Sequence, residues 1–315
     1  MLVALALALS QGLYGPAQTP TYKIERKLLD LDGLPIAITW PVGSKRKLPV
    51  VVWSHGMYGS RNNYRPLVDA LAGDGFAVIQ PTHGDSIELM TPEQRRKLLA
   101  SPNLNNTQSW DERPGQISTC IDSLARIAKT AGSPPLDPER VGLGGHSFGA
   151  WTTQVLAGME LSTPLKTWTA AEPWAKAFVV LAGSGPGGGI KPEGIRKMRG
   201  PMLMITGTND KARSGDSGEW RKQAFELASP GNKWLVWIDG ATHAFGGISG
   251  ERTEFVRQFM RRAGTTADAN KAHLDVTISA IVSFFDAHVR GIDAARSYWS
   301  TKTLERAGGV TISAK

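Results

Sequence analysis

Between residues 22 and 42 apolar and polar positions alternate, and Asp32-Gly33 in the middle supplies the turn of a β-hairpin. Beyond that point the pattern changes. Short apolar runs at 48–52, 76–80, 141–145, 177–181, 202–206 and 234–238 predict strands of the buried type. Helix-spaced segments separate them. Residues 62–72 place Tyr64, Leu67 and Leu71 on one side and end at Gly73 and Gly75. Further helices are predicted at 92–99, from Pro114 to about residue 130, at 148–159, at 219–227, and at 273–289, the last amphipathic and closing the fold. Pro114 is placed in the first turn of its helix, where a missing N–H costs nothing.

Strands alternating with helical crossovers predict the α/β class: a mostly parallel central sheet with helices on both faces. The pattern is read as one domain over 21–315, with no internal repeat. Residues 86–112, polar and irregular apart from the short helix, form a candidate lid or cap insertion.

Composition narrows this further. The 315 residues are 41% hydrophobic and 20% charged, which is a globular balance. The formal charge of +8 raises the question of nucleic acid. However, the basic residues come as short clusters (Lys45-Arg46-Lys47, Arg95-Arg96-Lys97, Arg261-Arg262) with no basic arm and no nucleic-acid motif. A solvated basic surface is expected, with no nucleic-acid partner. Cys120 is the only cysteine, so an internal disulfide is impossible, and its helical setting reads as a small buried hydrophobe. The apolar run at residues 2–9 fits the core of a secretory signal, with Ala6-Leu7-Ala8 as a cleavage site and residues up to 20 as a lead-in, although no Lys or Arg precedes it. Export is therefore expected over a cytoplasmic location, and no later segment is apolar enough to span a membrane.

The chemistry centres on Gly145-His146-Ser147-Phe148-Gly149, the sole G-x-S-x-G in the chain. It follows a predicted strand and opens a predicted helix, the context in which a tight turn lifts a serine hydroxyl above a sheet. Ser147 is the expected nucleophile. A serine needs a base, and the chain order of such sites puts an acid and then a histidine downstream. His243, in the loop after the strand at 234–238, is the candidate base. Asp210, in the turn leaving the strand at 202–206, is the candidate acid that orients it. Asp239 is its competitor, placed at the strand end leading into the histidine loop. The Phe148 N–H, next to the nucleophile, is one donor for a developing oxyanion; the Met57 N–H, after His55-Gly56, is the other candidate. Trp110, Trp151 and Trp174 are candidate walls of a substrate pocket, although aromatics at such spacing also serve as core. Gly215-Asp-Ser-Gly218 resembles the serine turn of chymotrypsin-like proteases, but those are all-β. No H-E-x-x-H or similar histidine spacing occurs, so no metal and no cofactor are expected.

Ser54-His55-Gly56, the G-H-S-F-G-A turn, Ile205-Thr-Gly-Thr-Asn-Asp210 and Gly240-Ala-Thr-His243 together resemble the bacterial "predicted dienelactone hydrolase" group of α/β-hydrolases. Platelet-activating-factor acetylhydrolases, chlorophyllases and bacterial cutinases are more distant relatives. The resemblance covers about 50–289 and includes Asp111-Glu-Arg-Pro114 and Gly183-Ser-Gly-Pro-Gly187. In cutinases the residue after the early-strand glycine donates the second oxyanion N–H, and that position is Met57 here. True dienelactone hydrolases use cysteine where this chain has Ser147, so dienelactone cleavage is not implied. Acetylhydrolases of the platelet-activating-factor type carry the acid after an earlier strand. There this chain reads Leu181-Ala-Gly-Ser184, with no carboxylate, which returns the role to Asp210.

The expectation is a cofactor-free serine hydrolase that cleaves small-molecule carboxylic esters, of short to medium acyl length, through an acyl-enzyme. An exopeptidase or amidase with the same site is the alternative, and a non-catalytic binding protein a further one. Oligomeric state is left open.

Overall fold

The strand Leu48–Ser54 is buried along its whole length, because neighbours on both edges and helices on both faces leave it no contact with water. It is the third strand of a chain that runs β1 (Ile24–Leu31), β2 (Leu34–Pro41), β3 (Leu48–Ser54), α1 (Arg65–Asp74), β4 (Ala77–Pro81), α2 (Pro92–Ala100), α3 (Gln108–Asp122), α4 (Leu124–Ala131), β5 (Leu136–His146) and α5 (Phe148–Leu156). The short pair β6 (Leu161–Ser162) and β7 (Thr167–Trp168) comes next. Then follow β8 (Ala175–Leu181), α6 (Pro192–Arg196), β9 (Met202–Asn209), α7 (Gly218–Leu227), β10 (Lys233–Thr242), α8 (Lys271–Phe285), α9 (Asp293–Ser300) and β11 (Val310–Ala314). The computed structural model describes residues 21–100, 108–162, 167–212, 215, 217–250 and 270–315. The apolar segment 2–9, the pair Arg261-Arg262 and the middle of the 86–112 insertion lie outside the described residues.

Nine strands form one sheet in the order β1-β2-β4-β3-β5-β8-β9-β10-β11. The six from β4 to β10 are parallel, and antiparallel strands flank them on both sides. Successive strand residues point to opposite faces, and the core divides accordingly. Val50, Val52, Leu143 and Val180 pack with Ile117, Cys120 and Val155 on one face. Val51, Trp53, Val179 and Ile205 pack with Leu67, Leu71 and Phe284 on the other. From β3 the chain moves outward to β4 and then returns to β5 on the opposite side of β3. This reversal opens a crevice at the carboxyl ends of β3 and β5, where open α/β sheets bind ligands.

Several elements differ from the sequence reading. Pro114 lies inside α3, not in its first turn, and a second helix begins at Leu124. Tertiary contact by the half-buried Trp110 extends the helix ahead of the proline, which sacrifices one main-chain hydrogen bond. The closing helix is buried almost all round from Val276 to Phe285 and passes into a π-turn at Asp286–Arg290. That burial exceeds the half-exposed surface of an amphipathic helix. The edge strand β11 was not foreseen; its alternation spans only the five residues Val310–Ala314, a short signal without its partner strand β10. Among the described residues no helix is long and apolar enough to cross a membrane.

A very tight backbone approach lies between α5 and the end of β3, where a methyl group added at Gly149 would collide with the Ser54 carbonyl. Gly149→Ala is expected to destabilise the fold by about 1–3 kcal/mol. Gly115→Ala, on the exposed side of α3 with open space around it, is expected to add about 0.5–1 kcal/mol. Urea unfolding of both variants against the parent protein checks the pair; equal effects would contradict the packing described here.

Candidate active site

Ser147 occupies the turn between β5 and α5 with φ 58° and ψ −115°, a conformation that ordinary residues avoid. Two features hold it there. Its N–H donates to the Leu181 carbonyl at 2.9 Å, and the first turn of α5 is wedged through Gly149 against the Ser54 and His55 carbonyls. The turn thereby presents Ser147 Oγ at the crevice.

His243 directly follows β10, and its Nε2 lies 2.9 Å from Ser147 Oγ. Its Nδ1 lies 2.7 Å from Oδ1 of Asp210, which is fully buried just beyond β9. Asp210 Oδ2 accepts from the Thr206 hydroxyl at 2.9 Å. Burial acts to raise the Asp210 pKa, but the Arg221 guanidinium, His243 and these hydrogen bonds outweigh it and hold the carboxyl below its ordinary value. Asp210 is therefore an anion at neutral pH, acceptor-only, and imposes a proton on His243 Nδ1. Nε2 is then left as the acceptor facing the serine hydroxyl. The competitor Asp239 is exposed within β10, and its carboxylate accepts from Thr208 Oγ1 at 3.2 Å.

Arg221, from α7, is a participant that sequence reading missed. Its Nε lies 3.0 Å from Asp210 Oδ1, and its Nη1 donates to the Ala182 and Gly183 carbonyls at 2.8 Å each. The acid is thus tied to the end of β8 as well as to the histidine. A second missed group is the line from the early loop to the base. The Gly56 N–H donates to Tyr64 Oη at 3.0 Å, Tyr64 Oη lies 2.9 Å from His146 Nδ1, and His146 Nε2 lies 2.9 Å from the His243 carbonyl. A carbonyl only accepts, so His146 Nε2 carries a proton; in a neutral imidazole Nδ1 then accepts from the Tyr64 hydroxyl. These partners stand 8, 82 and 97 positions apart in the chain, so no local pattern could reveal them.

Met57 and Phe148, the candidate oxyanion donors, sit on the two backbones that the Gly149 contact presses together. Trp110 and Trp151 come together, with ring centroids 5.5 Å apart, and Phe148 joins them at 5.3 Å from Trp151. Trp151 is 6% exposed and so backs the cluster more than it lines a pocket. Trp174 is a correction. It precedes β8 at the amino end of the parallel strands, opposite to the carboxyl end that carries Ser147, and is 66% exposed. The segment that carries it is anchored at the far end of α5, where the Glu172 N–H meets the Leu156 carbonyl. Trp168 takes its place in the aromatic group, 6.4 Å from Trp151. Of the proposed lid, Ile87 and Leu98 pack on Tyr58, with Met57 and Met90 alongside. The insertion therefore rests on the candidate oxyanion loop.

The sheet order and the crevice define an α/β-hydrolase fold. Residues 22–111 match the family model of platelet-activating factor acetylhydrolase, isoform II. The matched stretch spans β1 to the start of α3, takes in the Met57 loop and ends ahead of Ser147. No curated protein matches the chain.

Two buried histidines flank the site. Burial, with Arg113 nearby, pushes His55 down to about 3, and burial and Arg113 likewise hold His83 well below its ordinary value. Both are neutral in the folded protein and titrate at about 6.5 when unfolded. Between those limits the unfolded chain binds more protons, so stability rises with pH and is lost as pH falls below about 6.5. Each such histidine contributes a slope of about 1.4 kcal/mol per pH unit. His55→Gln is expected to flatten the dependence by that amount between about pH 6 and 4.5. Denaturant unfolding at a series of pH values measures it, and an unchanged slope would show that His55 is protonated in the fold.

Proposed function

We propose that this protein is a serine hydrolase that cleaves carboxylic esters through an acyl-enzyme, with Ser147 as nucleophile, His243 as base and Asp210 as acid. The hydrogen-bonded relay from Asp210 Oδ1 through His243 to Ser147 Oγ is the observation that carries this reading. The family match, to proteins named as acetylhydrolases, supports ester over amide chemistry. The resemblance of the Ser147 turn and the Asp210 and His243 loops to the "predicted dienelactone hydrolase" group points to the same chemistry.

In the first half-reaction Ser147 Oγ attacks the ester carbonyl carbon as its proton passes to His243 Nε2. The carbonyl π bond opens and the negative charge settles on oxygen, facing the Met57 and Phe148 N–H groups. Asp210 stabilises the imidazolium. Collapse expels the alkoxide, which takes the proton from Nε2 and leaves as the alcohol. Water then repeats the sequence on the acyl-enzyme, with His243 again as base, and releases the acid. Trp110, Phe148 and Trp168 flank the acyl or alcohol group, and the 86–112 insertion, resting on Met57 and Tyr58, limits the space to short or medium acyl chains.

Ser147→Ala is expected to lower turnover of p-nitrophenyl esters by about four to six orders of magnitude without changing the unfolding midpoint. Anilides of the same acids are expected to be poor substrates, and turnover of anilides above esters would move the reading to an amidase. A folded variant that keeps more than a few per cent of ester turnover would remove Ser147 from its role.

Asp210→Asn is expected to favour the wrong imidazole tautomer and cost about 10⁴-fold in kcat. Asp239→Asn, whose partner is Thr208, should stay near the parent value. Steady-state kinetics of both on one good ester decide between the two carboxylates.

A further inference from the structure

The loop after β3 rests on a buried ion pair to which the reaction scheme assigns no part. Arg113, from α3, has no exposed surface, and Asp85 is 2% exposed. The guanidinium forks onto the carboxylate, with Nε donating to Oδ1 at 3.0 Å and Nη2 to Oδ2 at 2.8 Å. Its other donors reach the loop backbone. Nη1 donates to the His55 carbonyl at 2.6 Å and lies 3.5 Å from Ser54 Oγ, while Nη2 lies 3.4 Å from the Gly56 carbonyl. From the other partner, Asp85 Oδ2 accepts the Tyr58 N–H at 3.2 Å. Residues on both sides of Met57 are therefore fixed to one ion pair.

The direction of the Met57 N–H follows from this arrangement. In a trans peptide the C=O of one residue and the N–H of the next point in opposite directions, and no described peptide is cis. The Gly56 carbonyl receives His55 Nδ1 at 2.7 Å and the Gly59 N–H at 3.0 Å, with Arg113 at its longer distance. Those donors hold the carbonyl on the side of the ion pair and so turn the Met57 N–H away from it. The same guanidinium lies 4.2 Å from the centre of the Phe148 ring, the residue that supplies the other candidate donor. Arginine suits this position because it is always charged and its donors lie in a rigid plane; lysine offers a single point.

We propose that Arg113, with Asp85, is the positioning device of the oxyanion hole: it sets the direction of the Met57 N–H and braces Phe148, without touching the substrate. A buried ion pair adds little net stability compared with apolar residues of the same volume, so its contribution here is geometry. The proposal rests on the ester-hydrolase reading.

The test uses Arg113→Lys and the double variant Arg113→Met/Asp85→Leu, which removes both charges together and so leaves neither buried alone. Active sites are titrated to completion with a fluorophosphonate, and kcat is expressed per titrated site. The expected result is a loss of about 10²-fold in kcat, the scale of one lost oxyanion donor, with KM within about threefold. Affinity for an alkyl boronic acid, whose tetrahedral adduct places an oxygen at the oxyanion position, should fall in parallel. Affinity for the matching carboxamide should hold. A purely structural role would lower the number of titratable sites and the unfolding midpoint but leave kcat per site unchanged. The double variant turning over within threefold of the parent per site would overturn the proposal. Absence of ester turnover by the parent protein would count against the ester reading alone; the rate of fluorophosphonate labelling at Ser147, which needs the same N–H donors, would then still report on Arg113.

Discussion

The site depends on the contact between two stretches of main chain, the turn at Ser147 and the loop that leaves β3. Gly149 lies so close to the Ser54 and His55 carbonyls that no side chain fits between them, and Ser147 is held at φ 58° on top of that contact. Ser147 and the loop carrying Met57, the candidate oxyanion donor, are thereby referenced to each other through backbone, which deforms less than side chains do. Moving either segment would expose buried peptide groups, whose unmet hydrogen bonds cost about 1–3 kcal/mol each. Strain at the serine persists because the surrounding sheet over-determines it.

Around that contact, two buried arginines anchor the polar parts. Arg221 ties the acid to the carbonyls at the end of β8, and Arg113 ties Asp85 to the loop after β3. Each takes a carboxylate and main-chain carbonyls from different elements and satisfies them with one planar cation. Removing one partner of such a pair would leave an uncompensated charge at a cost of about 3–5 kcal/mol. The Gly56–Tyr64–His146–His243 line joins the two halves through hydrogen bonds, with no carboxylate or guanidinium among them. The site is therefore locked both by ion pairs and by further hydrogen bonds.

The aromatic side of the crevice is different in character. Trp110, Phe148, Trp151 and Trp168 bring aromatic faces together from α3, α5 and β7. Tyr58, Ile87 and Leu98 form a small separate apolar cluster where the insertion meets the candidate oxyanion loop. A change in how the insertion packs would thus act on the same loop that Arg113 holds from below.

The periodicity of the chain alone determined the alternating strands and helices, and with them the parallel sheet. Those signals are local: a continuous apolar run means a strand covered on both faces, wherever its neighbours lie. Ser147, His243 and Asp210 were also legible as candidates, because a strand-turn-helix motif and strand-end loops are written in neighbouring residues. Tertiary structure alone decided everything that depends on distance across the sheet. It placed Trp174 at the opposite end of the strands and brought Trp168 to the aromatic group in its place. It extended α3 through Pro114, and it paired β11 with β10 despite a signal only five residues long. Arg221, Arg113, Asp85 and the Tyr64–His146 pair take their parts from partners as much as 97 positions away. A charged or hydroxyl-bearing side chain carries no mark in sequence of which carbonyl or carboxylate it will meet, because that partner exists only once the sheet has closed around it.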